Sequence, residues 1–291
     1  MKYGLLGMAA VVSLIAANGP AAAVSPIYSW TGFYVGGNLG YSWGSSSTLT
    51  TFENASTGAV LATDANRFNM DGVIGGGQFG YNWQQGRFVF GFEADIQGSG
   101  QKGSSPFSCG GGSLAGPPPF SSACAPGHQG DTPDFHTAAA PVFNRLNQSL
   151  AWFGTVRGRV GGTVTPNVLL YVTGGLAYGE IRSSMAINGI NITGDQGTNT
   201  VILTPVGTVI SGSSTRVGYT IGAGIEGSIG GNWTAKLEYL YIDFGTVSLR
   251  GVTPILTPAP GTFLATGISS HVTDNILRVG VNYHFNGPVG P

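Results

Sequence analysis

Between Arg216 and Ile229 the chain alternates strictly. The odd positions are Val217, Tyr219, Ile221, Ala223, Ile225, Gly227 and Ile229, and the even ones are Arg216, Gly218, Thr220, Gly222, Gly224, Glu226 and Ser228. A period of two makes a strand with one apolar and one polar face, and no helical period fits it. The pattern returns near 31–43, 71–83, 87–97, 149–161, 168–181, 233–244 and 272–285. In the third of these, Phe88, Phe90, Phe92, Ala94 and Ile96 oppose Glu93, Asp95 and Gln97. In the fourth, Leu150, Trp152, Val156 and Val160 oppose Thr155, Arg157 and Arg159.

These eight segments run 11–14 residues. A tilted strand needs about 9–11 residues to cross a bilayer, whereas strands of globular proteins average about 5–6. The connections alternate as well. Those at 84–86, 162–167 and 230–232 are short, and those at 44–70, 98–148, 182–215 and 245–271 are long and rich in Gly, Ser, Thr and Pro. Short turns on one side and long loops on the other are the outer-membrane pattern. The expectation is an all-β fold: an eight-stranded antiparallel transmembrane β-barrel over 24–285, with short periplasmic turns and four long extracellular loops. A short C-terminal tail, 286–291, follows.

Composition decides which face points inward. Only 9% of residues are charged, against roughly 25% in soluble domains. A soluble barrel would bury its apolar face and need Lys and Glu densely on the other. Here the polar face is Gly, Thr, Ser and Asn, with Glu93, Asp95, Arg157, Arg159, Arg216, Glu226, Lys236, Glu238 and Arg278 scattered along it. Near-balanced charge among glycines suits a narrow lumen, where unpaired ions would be costly. The polar face is therefore expected inside and the apolar face on lipid. Trp30, Trp83, Trp233, Tyr283 and Phe285 at one set of strand ends, with Trp43 and Trp152 at the other, are read as two aromatic girdles at the headgroup levels. A net charge of -1 argues against a nucleic-acid partner.

The first 23 residues read as an export signal: Lys2, an apolar core from Leu5 to Ala17, a break at Asn18-Gly19-Pro20 and a cleavage site at Ala21-Ala22-Ala23. No later stretch holds eighteen consecutive apolar residues, so no transmembrane helix is expected. Cys109 and Cys124 are the only cysteines. In an oxidising compartment their spacing suggests one loop-closing disulfide, worth roughly 3 kcal/mol in the chain-entropy picture; two free thiols are the alternative. Without a CxxC pair they make a poor metal cage, and no metal site is expected.

The stretch Trp30–Tyr41 (WTGFYVGGNLGY) resembles the opening of the alphaproteobacterial outer-membrane β-barrel "porin family" surface antigens. Thr155–Gly161 (TVRGRVG), Tyr171–Gly179 (YVTGGLAYG), Lys236–Gly245 (KLEYLYIDFG) and Leu277–Phe285 (LRVGVNYHF) are similar to later stretches of that family. The resemblance covers nearly all the strands and few loop residues. It implies a small eight-stranded barrel in the cell outer membrane, acting as an envelope structural protein and surface antigen, with some members proposed to pass small solutes or bind haem. It also implies the barrel-assembly machinery as a partner, reading a terminal aromatic. Here Phe285 is followed by six further residues, a departure from that pattern.

Several motifs look chemical. Gly75–Gly80 and Gly222–Gly227 match GxGxxG, but no helix follows either, as a dinucleotide site requires. His128 and His136, eight apart in the second long loop, are candidates for haem or metal, or are plain solvated loop residues. Ser269, Ser270, His271 and Asp274 hold the residue types of a hydrolytic triad, yet neighbours on one strand do not converge. No catalytic residue and no cofactor is expected. The lumen charges are read first as a salt-bridged plug, since eight strands enclose a bore just wide enough for side chains to fill. A narrow diffusion pore for small solutes is the alternative, and an adhesin or haem receptor acting through 98–148 is a further one. Outer-membrane lipids are the expected surroundings; the oligomeric state is left open.

Overall fold

A computed structural model describes residues 28–54, 58, 60–109, 142–195, 200–254 and 263–285. The export signal, the tail after Phe285, Cys124, His128 and His136 lie outside the described residues, and with Cys124 the expected disulfide. The described chain forms strands β1 (Gly32–Asn54), β2 (Val60–Gln85), β3 (Phe88–Ser99), β4 (Lys102–Cys109), β5 (Val142–Thr165), β6 (Val168–Asp195), β7 (Thr200–Gly230), β8 (Trp233–Pro254) and β9 (Phe263–His284). β3 and β4 are two pieces of one stave, because both pair with β5. Each stave is antiparallel to its neighbours, and β1 pairs with both β2 and β9, which closes a ring of eight.

Two-residue turns at 86–87, 166–167 and 231–232 join the strands at one end, tighter than the sequence suggested. Gly86 (φ 61°) and Gly231 (φ 53°) supply the left-handed backbone that such turns require. At the other end the strands outrun expectation, reaching 28 residues in β6 and 31 in β7. Much of 44–70, 182–215 and 245–271, expected as loop, is paired strand. The Ser and Thr that made these segments look loop-like alternate with Val, Ile and Leu that fit a pleated sheet, and ladder pairing needs no lipid around it.

The long-hairpin end is not a simple continuation of the barrel. Beyond Tyr219↔Asp243, β7 and β8 share no further paired residues among those described, and β2 meets β4 only at Asp71↔Lys102. The ring therefore opens into two four-stranded sheets, β8-β9-β1-β2 and β4-β5-β6-β7. Their inner faces meet through Phe68, Met70, Val247 and Ile268 from the first and Leu146, Ile181, Met185 and Ile210 from the second.

Side-chain parity follows the alternation except at bulges, one of which, between Asp243 and Gly245, moves the inward set of β8 from Ile242 and Phe244 to Val247. Leu150 and Trp152 were read on one face, but the register shifts between them, leaving Ala151 as the extra residue of a β-bulge. A bulge exchanges faces, so Leu150 points into the core while Trp152 faces outward beside Tyr178. Adjacent glycines show how tightly the interior is filled. A Cβ on inward Gly175 would run into the carbonyl of Val156 and the Arg157 backbone, whereas one on outward Gly174 meets only ordinary contacts from 3.5 Å. Gly175→Val should therefore destabilise the barrel by about 1–3 kcal/mol or prevent its assembly, and Gly174→Val should be near neutral, as read from urea unfolding of the refolded protein.

Candidate functional site: the lumen

The inward parity of five strands brings eight ionisable side chains to one level. β3 supplies Glu93 and Asp95, β5 Arg157 and Arg159, β7 Glu226, β8 Lys236 and Glu238, and β9 Arg278, all of them buried. Arg157 reaches Glu93, Asp95 (3.0 Å) and Glu238 (3.0 Å). Arg278 reaches Asp95 at 2.9 Å and Glu238 at 2.6 Å. Lys236 lies 2.8 Å from Glu93, and Arg159 lies 3.0 Å from Glu226. Four cations thus face four carboxylates. Arg216, predicted with them, is only half-buried and makes no ion pair among the described residues.

Two phenols missed in the sequence complete this layer. Tyr34 donates to Glu93 (2.8 Å) and Tyr171 to Glu238 (2.9 Å). The Arg159 guanidinium lies over both rings, 4.8 and 5.1 Å from their centroids. Such contacts favour a desolvated cation. The available signal was parity, since residues 34 and 171 fall on the polar side of their strands. An amide chain extends the layer sideways: Asn38 donates to Gln78 (2.7 Å), Gln78 to Asn282 (2.6 Å) and Asn282 to Glu226 (2.7 Å).

Below the ions, toward the short turns, Tyr28, Trp30, Val89, Leu169 and Tyr171 form an apolar floor. Trp30 was expected in the lipid-facing girdle; it is instead fully buried under the barrel. It precedes the first strand, so strand parity does not govern it. Its backbone N–H donates to Gln84 (2.9 Å) and its indole to the Pro166 carbonyl (3.3 Å). Above the ions Ile74, Phe153, Leu240, Ile242, Phe244 and Ile276 form an apolar cluster that continues between the two sheets, beside a polar seam that includes Ser42, Gln97 and Thr220. Asp274 sits at that junction, held by Ser42 (2.7 Å) and Gln101 (2.9 Å).

The outward face is complementary. Trp83 and Phe285 near the turns, with Trp233, and Trp43 at the far end are exposed; Trp152 and Tyr283 are half-buried on the same face. Among the described residues, the outward band between the two aromatic levels carries no charged side chain. The triad-like residues do not converge: Ser270 and Asp274 are buried on the inner side, while His271 is exposed on the outer side, 3.4 Å from Asp243. Both GxGxxG matches lie within strands. Among the described residues no group of His, Cys, Asp and Glu could hold a metal.

A closed ring of strands with an apolar outer band and an ionic interior defines a membrane-spanning β-barrel. The chain belongs to the family described as "Outer membrane protein beta-barrel domain", whose model matches residues 8–285, and it lies in the outer membrane. It is 33% identical over 288 residues to the 31 kDa outer-membrane immunogenic protein of Brucella melitensis, covering 97% of this chain and 95% of that one. It is 30% identical over 223 residues to the 22 kDa outer membrane protein of Rhizobium leguminosarum bv. viciae, covering 77% and 68%. Among solved structures, the attachment invasion locus protein Ail of Yersinia pestis is similar at 10% identity and a TM-score of 0.28, covering 82% of this chain and 98% of that one.

Proposed function

We propose that the protein is a non-conducting structural barrel that anchors a rigid two-sheet head above the outer membrane and presents it as a surface antigen. One observation carries this reading: the bore is filled in three successive layers, an aromatic floor, a charge-balanced ionic layer and an apolar cluster. Ions in such a passage would have to break bonds between buried partners, at several kcal/mol, and then pass a packed stretch of mostly apolar side chains seamed by Ser42, Gln101 and Asp274. The Brucella relatives are immunogenic outer-membrane proteins by name, which supports the antigen role. Outer-membrane lipid is the surrounding partner. The exposed aromatic of Phe285 at the end of β9 is the feature offered to the barrel-assembly machinery.

Planar-bilayer recording of the refolded chain tests the reading. Steady insertion with no discrete conductance is expected. Stable single-channel steps would overturn the closed lumen and favour a diffusion pore for small solutes.

A further inference from the structure

At the height where the ring parts into two sheets, a carboxylate is buried without a cation. Asp274 lies on the inward face of β9 at 1% exposure. Its β1 partner is Gly44, one residue beyond Trp43, so it stands above the outer aromatic level and outside the membrane-spanning segment. Ser42 donates to it at 2.7 Å and the Gln101 amide at 2.9 Å. The same amide nitrogen reaches the Met70 carbonyl at 3.3 Å. Asp274, Ser42 and Met70 belong to the sheet β8-β9-β1-β2, whereas Gln101 joins β3 to β4. The Gln101 side chain thus clasps one sheet to a stave of the other. It does so beside the Asp71↔Lys102 pairing and the Gly100 N–H bond to the Val73 carbonyl (2.9 Å).

Among the described residues no charge stands opposite this carboxylate. In its own row the inward positions of β1, β2 and β8 are Gly44, Met70 and Ile242, none of them ionisable. The other sheet brings Leu150, Phe153 and Ile181 to the same cluster, and β3 brings Gln97. On β9 itself Arg278 lies two inward positions below, committed to Asp95 and Glu238. Asp71, Lys102 and His271 are exposed on the outer face, with Asp243 beside His271. Arg216 lies on β7 at its seam with β8 and makes no ion pair. Burial outweighs the hydrogen bonds from Ser42 and Gln101 and pushes the Asp274 carboxyl up to about 6. The geometry serves the neutral acid equally well. With its proton on Oδ2 it donates to Ser42 Oγ, and Oδ1 goes on accepting from Gln101.

We propose that Asp274 is an acid-operated clasp: protonated, it locks the Gln101 junction and holds the two sheets of the head together, and ionised, it favours a state in which the junction parts far enough to hydrate it. The direction is opposite to ordinary acid denaturation, in which paired carboxylates lose their partners on protonation. A group raised above its unfolded value, about 4 for Asp, stabilises fully below that value, and the contribution is lost as pH rises through about 6. The head is therefore firmest in an acidic medium and loosest at neutral pH. This holds whether or not the lumen conducts.

Hydrogen exchange of the full refolded barrel in nanodiscs, followed by mass spectrometry, tests the clasp. The readout is the peptides that carry the amides of Gly100 and Leu150, which bond the carbonyls of Val73 and Gln101 at the junction. With intrinsic exchange rates divided out, the wild type should be about tenfold better protected at about pH 5 than at about pH 7.5. Asp274→Asn keeps the shape and loses the charge, and should show the acid level of protection at both pH values. If that variant loses the boiling-dependent gel shift of a folded barrel, Ser42→Ala serves. It removes a donor to the ionised form, so the transition should move to higher pH. Wild-type protection that is equal at the two pH values, or greater at the higher one, would overturn the proposal. So would a pH dependence that survives in Asp274→Asn, or an unmoved transition in Ser42→Ala.

Discussion

Replacing Arg157 with methionine is expected to cost the folded barrel about 3–5 kcal/mol, the usual penalty for removing one partner of a buried ionic network. The guanidinium bonds Glu93, Asp95, Glu238 and Thr155 at once, and methionine keeps most of its volume. The loss therefore reports charge rather than packing. Four cations against four carboxylates balance the charge of the layer, and the substitution strands one negative charge among fully buried side chains. Urea unfolding of the refolded variant, followed by tryptophan fluorescence, gives the number. Asp95→Asn in the same chain restores the balance and should recover part of the loss. A double-mutant cycle is the proper measure, because the partners touch.

Phe153→Ala should be comparably severe, about 3–5 kcal/mol. Its ring is fully buried at the base of the upper apolar cluster, facing Gly179 across the strand pair. Truncation leaves a void that Gly179 cannot fill. This variant also separates the two barriers in the bore. If the ionic layer alone suffices to close it, Phe153→Ala destabilises the barrel but stays silent in bilayer recordings. Channel activity in this variant alone would assign closure to the apolar layer.

The membrane-spanning part was legible because lipid imposes a strict rule. Val156, Arg157, Gly158, Arg159 and Val160 can be sorted by parity with no further information, since a charge on the lipid face would be expelled. The ring of eight follows from the count of such segments. Three features escaped the same reading. The Ala151 bulge reversed Leu150, because one extra residue leaves composition unchanged while exchanging faces. Ile242 and Phe244 share parity with Lys236 and Glu238 on β8, and only their height in the barrel makes their surroundings apolar. The two-sheet head was hidden because above the membrane no lipid enforces alternation, and serine- and threonine-rich strands resemble loops in composition. Within the ionic layer the participants were readable and the pairings were not. Register on five separate strands decides that Arg159 meets Glu226, and no local pattern encodes it.

A non-conducting barrel requires an inward face that is dry and filled. Thr155, Thr220 and Thr234 lie on it, fully buried at three points around the ring, and cysteine is nearly isosteric with threonine. With Cys109 and Cys124 first changed to serine, each cysteine variant is placed in lipid vesicles and exposed to a small water-soluble methanethiosulfonate cation. Unreactive thiols that label promptly once urea unfolds the barrel are predicted. Rapid labelling of the folded, membrane-embedded protein at these positions would mean a water-filled bore and would contradict the account.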